Sequence, residues 1–150
     1  MKLLHPTLFS LFLVIGLCAF PLPALAQTPV KMSLQETLKL LQWQKRVVLV
    51  CATSAEQINF QKQKILLQQD TLGQQERDMK VISLLFNEME QADKDFLKKD
   101  LNIPAHGFTL LLLGKDGIAK LKRSTPVTTQ VLFYTVDAMR MRRQEMRRNN

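Results

Sequence analysis

Beyond its first 26 residues the chain has one cysteine and one histidine, Cys51 and His106, whose side chains could act as a nucleophile or a base. Thiol–disulfide exchange needs a second thiol, which resolves the mixed disulfide formed by the first. The five residues after Cys51, Ala-Thr-Ser-Ala-Glu, include no thiol, so this chain alone does not supply such a pair. Cys51 could still act by itself as a peroxidase or a redox sensor if its thiolate were accessible.

The sequence around Cys51 predicts a buried thiol rather than a reactive one. Residues 47–51 form a continuous β-branched and apolar run, which is typical of a strand buried on both faces. A peroxidatic cysteine instead lies in the first turn of a helix, where the helix dipole lowers the thiol pKa. We therefore expect Cys51 to behave as a small hydrophobic residue. A reactive thiol and a disulfide with a partner protein stay open as alternatives.

The other candidate site residues are a histidine and two charged side chains. A lone histidine such as His106 is expected to be a surface or turn residue, and no grouping of His, Cys and carboxylates predicts a metal site. Asp137 lies within a predicted core helix, so an arginine such as Arg46 or Arg77 is expected to pair with it. A ligand-binding pocket lined by Arg77 and Asp137 is the alternative.

The C-terminal segment is strongly basic. Residues 140–150 include five arginines and one acid, Glu145, and the whole chain has a net charge of +8. Cations near a helix C-terminus stabilise the helix dipole, but a cluster of this density also predicts binding to an anionic partner through counterion release. No aromatic residue is interleaved with these arginines, so nucleic-acid binding is not expected. The arginines are Arg140, Arg142, Arg143, Arg147 and Arg148.

Residues 1–26 have the composition of a secretory signal peptide. Lys2 supplies the basic start, and residues 3–20 are almost wholly apolar. The segment Ala24-Leu25-Ala26 supplies the small residues of a cleavage site. These three features together predict removal of the segment during export.

Cleavage at that site predicts a periplasmic or secreted protein that begins at Gln27. A lipid anchor on Cys18 is not expected, because Leu17 precedes it where a lipoprotein signal has a small residue. Without its first 26 residues the 150-residue chain keeps 124, which is enough for a single domain over residues 27–150. No transmembrane segment is expected after cleavage, because no further apolar stretch reaches about 20 residues.

Helices and strands alternate along the predicted domain. Ser33 and Glu36 form a capping-box pattern at the start of the first helix, and Asp116-Gly117 is a tight-turn signal between two strands. The predicted elements are helix 33–42, strand 46–51, helix 54–73, buried strand 79–86, helix 88–99, strand 108–113, strand 118–122 and a helix that Thr125 caps. Two strands joined through a helix, followed by a hairpin and a closing helix, predict an α/β fold. The expected fold is a thioredoxin-like three-layer sandwich with a central mixed sheet of about four strands, and other α/β sandwiches of this size stay open as alternatives.

Four segments of the sequence resemble a family of exported domains of unknown function. The resemblance is carried by Trp43 with Arg46, by Glu-Arg-Asp at 76–78, by residues 107–120 across the hairpin, and by residues 137–146, which are rich in Met and Arg. Members occur as single small secreted domains in bacteria and within sushi-repeat and other extracellular matrix proteins in animals. The resemblance implies a peroxiredoxin-like thioredoxin fold and export, but no activity. It also implies a proline where this chain has Arg140, so the last helix is expected to continue further here.

These observations predict a non-catalytic binding or interaction module of the cell envelope or extracellular space. The expected binding residues are Arg77, Asp137 and the five C-terminal arginines, and no cofactor is expected. The expected partner is an anionic surface, either lipid headgroups or polysaccharide, or another protein. A single-cysteine peroxidase or redox sensor using Cys51 is the alternative, and an enzyme using other polar residues is a third. Removing residues 142–150 is expected to cost little stability, because the apolar stripe of the last helix ends at Met139.

Overall fold

The structure, a computed structural model, describes residues 32–148. The predicted signal peptide and the cleavage before Gln27 lie outside the described residues. In chain order the elements are α1 (Leu34–Leu41), β1 (Arg46–Ala52), α2 (Ile58–Gln68), α3 (Thr71–Glu76), β2 (Met79–Leu85), a short 3₁₀ turn (Phe86–Glu88), α4 (Gln91–Lys99), β3 (Thr109–Leu113), β4 (Ala119–Arg123), α5 (Thr129–Asp137) and α6 (Arg140–Arg148).

The described strands form one mixed sheet in the order β2–β1–β3–β4. β1 pairs in parallel with β2, which the chain reaches through α2 and α3, and it pairs antiparallel with β3 on its other side. β3 and β4 form the predicted hairpin, whose turn places Gly117 at a φ of 77°. That backbone conformation suits glycine because a Cβ would be strained there. β1 and β3 are consequently the inner strands, and every residue of both is buried.

The side chains of β1 alternate between two cores, one on each face of the sheet. Val48 and Val50 pack on one face with residues of α2 and α5, whereas Leu49 and Cys51 pack on the other with residues of α1 and α4. Helices therefore cover both faces, which confirms the predicted α/β three-layer sandwich with a mixed sheet of four strands. The capping box at Ser33 and Glu36 is also confirmed.

The second predicted helix differs from expectation in its cap, its length and its buried face. The sequence predicts Ser54 as its cap, but the helix begins after Gln57, and a break after Gln68 divides it into α2 and α3. Its inner face includes Gln63 rather than Ile58 or Ile65, both of which are exposed. Gln63 tolerates burial because its amide donates to the carbonyl of Val127 at 3.0 Å and accepts from its N–H at 2.8 Å.

The last predicted helix starts later than expected and is interrupted. Because Gln63 occupies both backbone groups of Val127, the chain around Val127 stays out of the helix. The helix begins at Thr129 rather than near Thr125. It ends at Asp137, and α6 starts separately at Arg140. In the described part of the chain, no helix is both long and apolar enough to cross a bilayer.

Candidate functional site at the basic end of the sheet

Cys51 lies in the core, as predicted. Its side chain is fully buried between β1 and the helices of the α1/α4 face. Burial raises the pKa of the Cys51 thiol to about 12, and it outweighs the charge of Lys122, which acts to lower that pKa. The thiolate required for nucleophilic attack is therefore strongly disfavoured at neutral pH.

Cys51 is expected to resist alkylation in the native protein and to react once the protein is denatured. Cys51→Ala should lower the free energy of unfolding by about 1–2 kcal/mol through lost packing, and Cys51→Ser should cost at least as much because it buries a hydroxyl. Intact-mass measurement after alkylation, with and without urea, tests accessibility, and urea titrations of both variants test the cost. Rapid labelling of native protein, or peroxide consumption that disappears in Cys51→Ser, would contradict this prediction.

The four residues considered for catalysis or ligand binding do not converge on one site. His106 is exposed in the loop before β3, and the N–H of its neighbour Gly107 donates to Thr53 Oγ1 at 3.0 Å, just beyond the C-terminal end of β1. Arg77 and Asp137 lie at the other end of β1, where the Arg77 carbonyl accepts from Arg46. A strand of this length separates its ends by about 20 Å. Cys51 and His106 therefore belong to a different end of the molecule from Arg77 and Asp137.

An extensive set of ion pairs surrounds the N-terminal end of β1, and we call it the charged network. Its members come from four elements, β1, α3, α5 and α6, and from the turns before β1, before β2 and between β3 and β4. It consists of Lys45, Arg46, Glu76, Arg77, Asp78, Lys115, Asp137, Arg142 and Glu145.

Arg46 is the most deeply buried member of the charged network. Its side chain is only 1% exposed. One terminal nitrogen donates to the carbonyl of Arg77 at 2.9 Å, and the other donates to both carboxylate oxygens of Glu145 at 3.1 and 3.2 Å. Burying a guanidinium is unfavourable unless a counterion and hydrogen bonds compensate. Glu145 supplies that compensation and thereby fixes α6 against the start of β1.

Lys115 links Glu145 to a second carboxylate. Its ammonium lies 2.8 Å from Glu145 and 2.9 Å from Asp78, whose other oxygen lies 3.2 Å from Lys45. Asp78 adopts a left-handed backbone conformation with a φ of 50°, and its carbonyl accepts from the N–H of Arg46 at 2.8 Å. The β3–β4 turn, the start of β2 and α6 are thus joined through two carboxylates.

Asp137 has the arginine partner that the sequence predicts, and that partner is Arg77. Arg77 donates to both carboxylate oxygens, with distances of 3.0 Å from Nε and 2.8 Å from Nη2. The guanidinium also lies 4.3 Å from the centre of the Phe133 ring, which adds a cation–π contact. A bidentate pair of this kind orients both side chains. It attaches α5 to the segment before β2.

Arg142 belongs to the charged network and not to an exposed patch. Its Nε donates to Asp137 at 3.3 Å, and one of its terminal nitrogens donates to the carbonyl of Glu76 at 2.9 Å. The expectation of five projecting arginines is therefore wrong for this one, because Asp137 and Glu76 draw it toward the domain. The remaining arginines on the exposed side of α6 are Arg140, Arg143, Arg147 and Arg148.

The charged network is poorly suited to proton transfer. Burial acts to raise the pKa of Glu145, but hydrogen bonds from Lys115 and Arg46 outweigh it and hold that pKa below its ordinary value. The pKa of Asp78 is lowered in the same way, because hydrogen bonds from Lys115 and Lys45 outweigh burial. A general acid or base works best with a pKa near the working pH. These carboxylates instead remain ionised and occupied by cations.

The four segments that carried the family resemblance meet in this network. Arg46 comes from the first, Arg77 from the second, Lys115 from the third and Glu145 from the fourth. Sequence reasoning offered Arg46 or Arg77 as the partner of Asp137 but missed the roles of Lys115 and Glu145. The signals were present, since Arg46 precedes an apolar strand and Glu145 is the only acid among the C-terminal arginines. Within residues 32–148 no group of three His, Cys, Asp or Glu side chains is arranged to hold a metal ion.

Comparisons with known proteins agree with this fold. A family model described as a domain of unknown function, DUF4174, matches residues 37–145. The reduced 2-Cys peroxiredoxin of Plasmodium vivax is similar with a TM-score of 0.53 and 13% identity, over 71% of this chain and 84% of that one. Thioredoxin peroxidase I of Plasmodium yoelii is similar with a TM-score of 0.53 and 11% identity, over 71% and 79%. These likenesses establish a thioredoxin-like, peroxiredoxin-like fold. No curated protein matches.

Proposed function

Because the chain belongs to the DUF4174 family, whose function is unknown, we propose a function from its own surface. The protein is an exported, non-catalytic binding module that holds an anionic polysaccharide on the exposed face of α6. The observation that carries this proposal is the composition of that face, whose exposed residues are four arginines and Gln144. Export rests on the predicted signal peptide, residues 1–26.

The exposed arginines form a continuous row. Arg140, Arg143 and Arg147 are spaced three and four residues apart, so they lie on one face of the helix. From Arg140 to Arg148 the row extends about 12 Å, at a rise of about 1.5 Å per residue. Each guanidinium presents a planar fork of donors that matches the oxygens of a sulfate, phosphate or carboxylate. A flexible polyanion could therefore engage several of them at once and release counterions.

The inward face of α6 favours a polymer over a membrane as the partner. Within Arg140–Arg148 the apolar side chains are Met141 and Met146, and both are partly buried. Peripheral helices that insert into lipid place an apolar face in the bilayer, whereas α6 has only these two apolar side chains and neither is fully exposed. Its contact with an anionic partner is then electrostatic, and an exported protein meets charged polysaccharides outside the cytoplasm.

Catalysis by Cys51 has less support. The peroxiredoxins that resemble this chain are only 11–13% identical to it. A structural likeness at this level of identity shows a shared fold and not a shared activity. The buried thiol, with its pKa near 12, is unsuited to attack a peroxide. The charged network, with carboxylates already paired, offers no free acid or base. A binding role requires none of these groups.

The triple variant Arg143→Gln, Arg147→Gln, Arg148→Gln is expected to lose most polysaccharide binding. If each arginine near a charged surface contributes about 1 kcal/mol, affinity should fall about 100-fold. The matched control is Lys62→Gln, Lys80→Gln, Lys98→Gln, which removes the same charge from exposed lysines elsewhere. Both variants and the parent, each starting at Gln27, are compared on a sulfated polysaccharide at two salt concentrations, with a neutral polysaccharide as the blank.

Equal losses of affinity in the two triple variants would show a non-specific charge effect and would contradict the proposal. Binding that does not change with salt concentration would contradict it as well. Vesicles containing anionic lipid are tested in parallel, and tighter binding to vesicles than to the polysaccharide would replace the polymer by a membrane surface. Export is tested separately, by the intact mass of protein recovered from an exporting host. A mass that includes residues 1–26 would contradict it.

A further inference from the structure

A cavity of about 310 Å³ lies where the β3–β4 turn meets the start of α6. Its volume is at the lower end of the range found for small-molecule sites. Four cations and one acid contribute to its wall, namely Arg46, Lys115, Lys120, Arg140 and Asp116. The cavity shares Arg140 with the exposed face of α6, but Arg143, Arg147 and Arg148 are not among its lining residues.

Positive charge predominates in this cavity. Its single acid, Asp116, is occupied by Lys120 at 2.7 Å and by the N–H of Ile118 at 3.0 Å. Lys115 is balanced by Asp78 and Glu145, which lie outside the lining. Arg140 forms no ion pair with any residue in the described range. A net positive charge in the cavity favours an anionic occupant.

The first turn of α6 adds backbone donors to the same wall. The lining includes Met139, Arg140 and Met141, and the helix begins at Arg140. The first N–H groups of a helix have no acceptor within it. The helix dipole places partial positive charge at this end. Helix starts of this kind bind phosphate and sulfate groups.

Arg46 supplies an independent indication of a missing acceptor. Its Nε is a buried donor with no hydrogen-bond partner among residues 32–148, and it is the one buried side-chain atom in that range left unsatisfied. Buried donors are nearly always paired in folded proteins, and an unpaired one indicates a bound ion or water as its acceptor. Arg46 is also one of the residues that line the cavity.

We propose that this cavity binds one tetrahedral oxyanion, a phosphate or sulfate group. Lys120 contributes charge from β4 and Arg140 from α6, the first turn of α6 contributes N–H donors, and Arg46 contributes a buried guanidinium. The oxyanion is either a free ion or a group carried by the polymer that the exposed arginines bind. The site goes beyond the proposed function, because a free ion could bind without any polymer.

The test is titration of the ¹⁵N-labelled protein with sodium phosphate and sodium sulfate, against sodium chloride at equal ionic strength. Saturable shifts are expected in the amides of Arg140 and Met141 and in the side-chain Nε–H signal of Arg46. Lys120→Gln and Arg140→Gln should each weaken binding about tenfold, as expected for loss of a charge-assisted hydrogen bond. The matched control, Lys98→Gln, removes an exposed lysine outside the cavity lining and should bind as the parent does.

The source of the oxyanion is resolved by competition. If phosphate or sulfate displaces the sulfated polysaccharide, the polymer places one of its groups in the cavity; if both bind together, the site takes a free ion. The variant lacking Arg143, Arg147 and Arg148 should keep ion binding even if it loses the polymer, which separates the two proposals. Shifts that match those in chloride, or equal affinity in Lys120→Gln, Arg140→Gln and the parent, would overturn the site.

Discussion

Removing residues 142–150 is expected to lower the free energy of unfolding by about 3–5 kcal/mol, the cost of breaking a buried ion pair by deleting one partner. The deletion takes away Glu145, which holds the Arg46 guanidinium, and that side chain is 1% exposed. It also removes Arg142 from Asp137 and one of the two carboxylates around Lys115. A buried cation left without its counterion must either draw in water or force the domain open.

A shorter deletion is the control for this prediction. A chain that ends at Met146 loses Arg147 and Arg148 but keeps Arg142 and Glu145, so its stability should change by no more than about 0.5 kcal/mol. Urea titrations of the full chain and of both truncated chains measure the difference. Similar stability in all three would show that the charged network contributes little. A similar loss in both truncated chains would show that the end of α6 is structural for another reason.

The sequence alone predicts that the same deletion lowers stability only a little. It differs from the prediction made from the structure because it considers apolar residues only. The apolar stripe of the last helix ends at Met139, so the arginine-rich residues 140–150 are expected to be solvated. The important contact instead joins Arg46 and Glu145, which are 99 positions apart. Spacing within a helix or strand constrains neighbours on one face, but it carries no information about which distant charges meet.

The layout of the fold was predictable because its signals are local. A continuous apolar run at residues 47–51 indicated the central strand, and Asp116-Gly117 indicated the hairpin. The capping box marked the first helix start. The errors arose where a distant partner decides the outcome. Thr125 and Pro126 are good helix starters in isolation, but the helix begins later because Gln63, far earlier in the chain, binds Val127.

The candidate site was partly predictable for the same reason. Asp137 on a core helix required a cation, and the sequence offered Arg46 or Arg77. The structure selects Arg77 because Phe133 and the carbonyl of Gly73 hold its guanidinium beside Asp137. A side chain at Gly73 would collide with Phe133, at 2.7 Å from its ring, so glycine permits this arrangement. Arg46 is consequently left to pair with Glu145.

Glu145→Gln is expected to lower the free energy of unfolding at pH 7 by about 2 kcal/mol, less than deletion of a buried partner would, because the amide oxygen still accepts one hydrogen bond. The cost should depend on pH. Although burial acts to raise the pKa of Glu145, Lys115 and Arg46 hold it below the ordinary value of 4.5 in the folded state. A depressed folded pKa stabilises the protein above the unfolded pKa, and this contribution is lost as the pH falls through the folded pKa.

The difference in stability between the parent and Glu145→Gln should therefore be constant from pH 7 to about pH 5. The difference should then shrink below pH 4.5, the ordinary pKa of a glutamate side chain. Protonation of Glu145 removes the charge that distinguishes the parent from the variant. Urea titrations across this range measure the difference.

Glu76→Gln is the matched control, because the Glu76 side chain is 70% exposed and its ion pair with Arg77 should contribute at most about 1 kcal/mol. If the difference is the same at pH 3 and pH 7, Glu145 acts through packing or helix propensity, since neither depends on its ionisation. If Glu76→Gln costs as much as Glu145→Gln, the burial of Arg46 does not set the strength of this network.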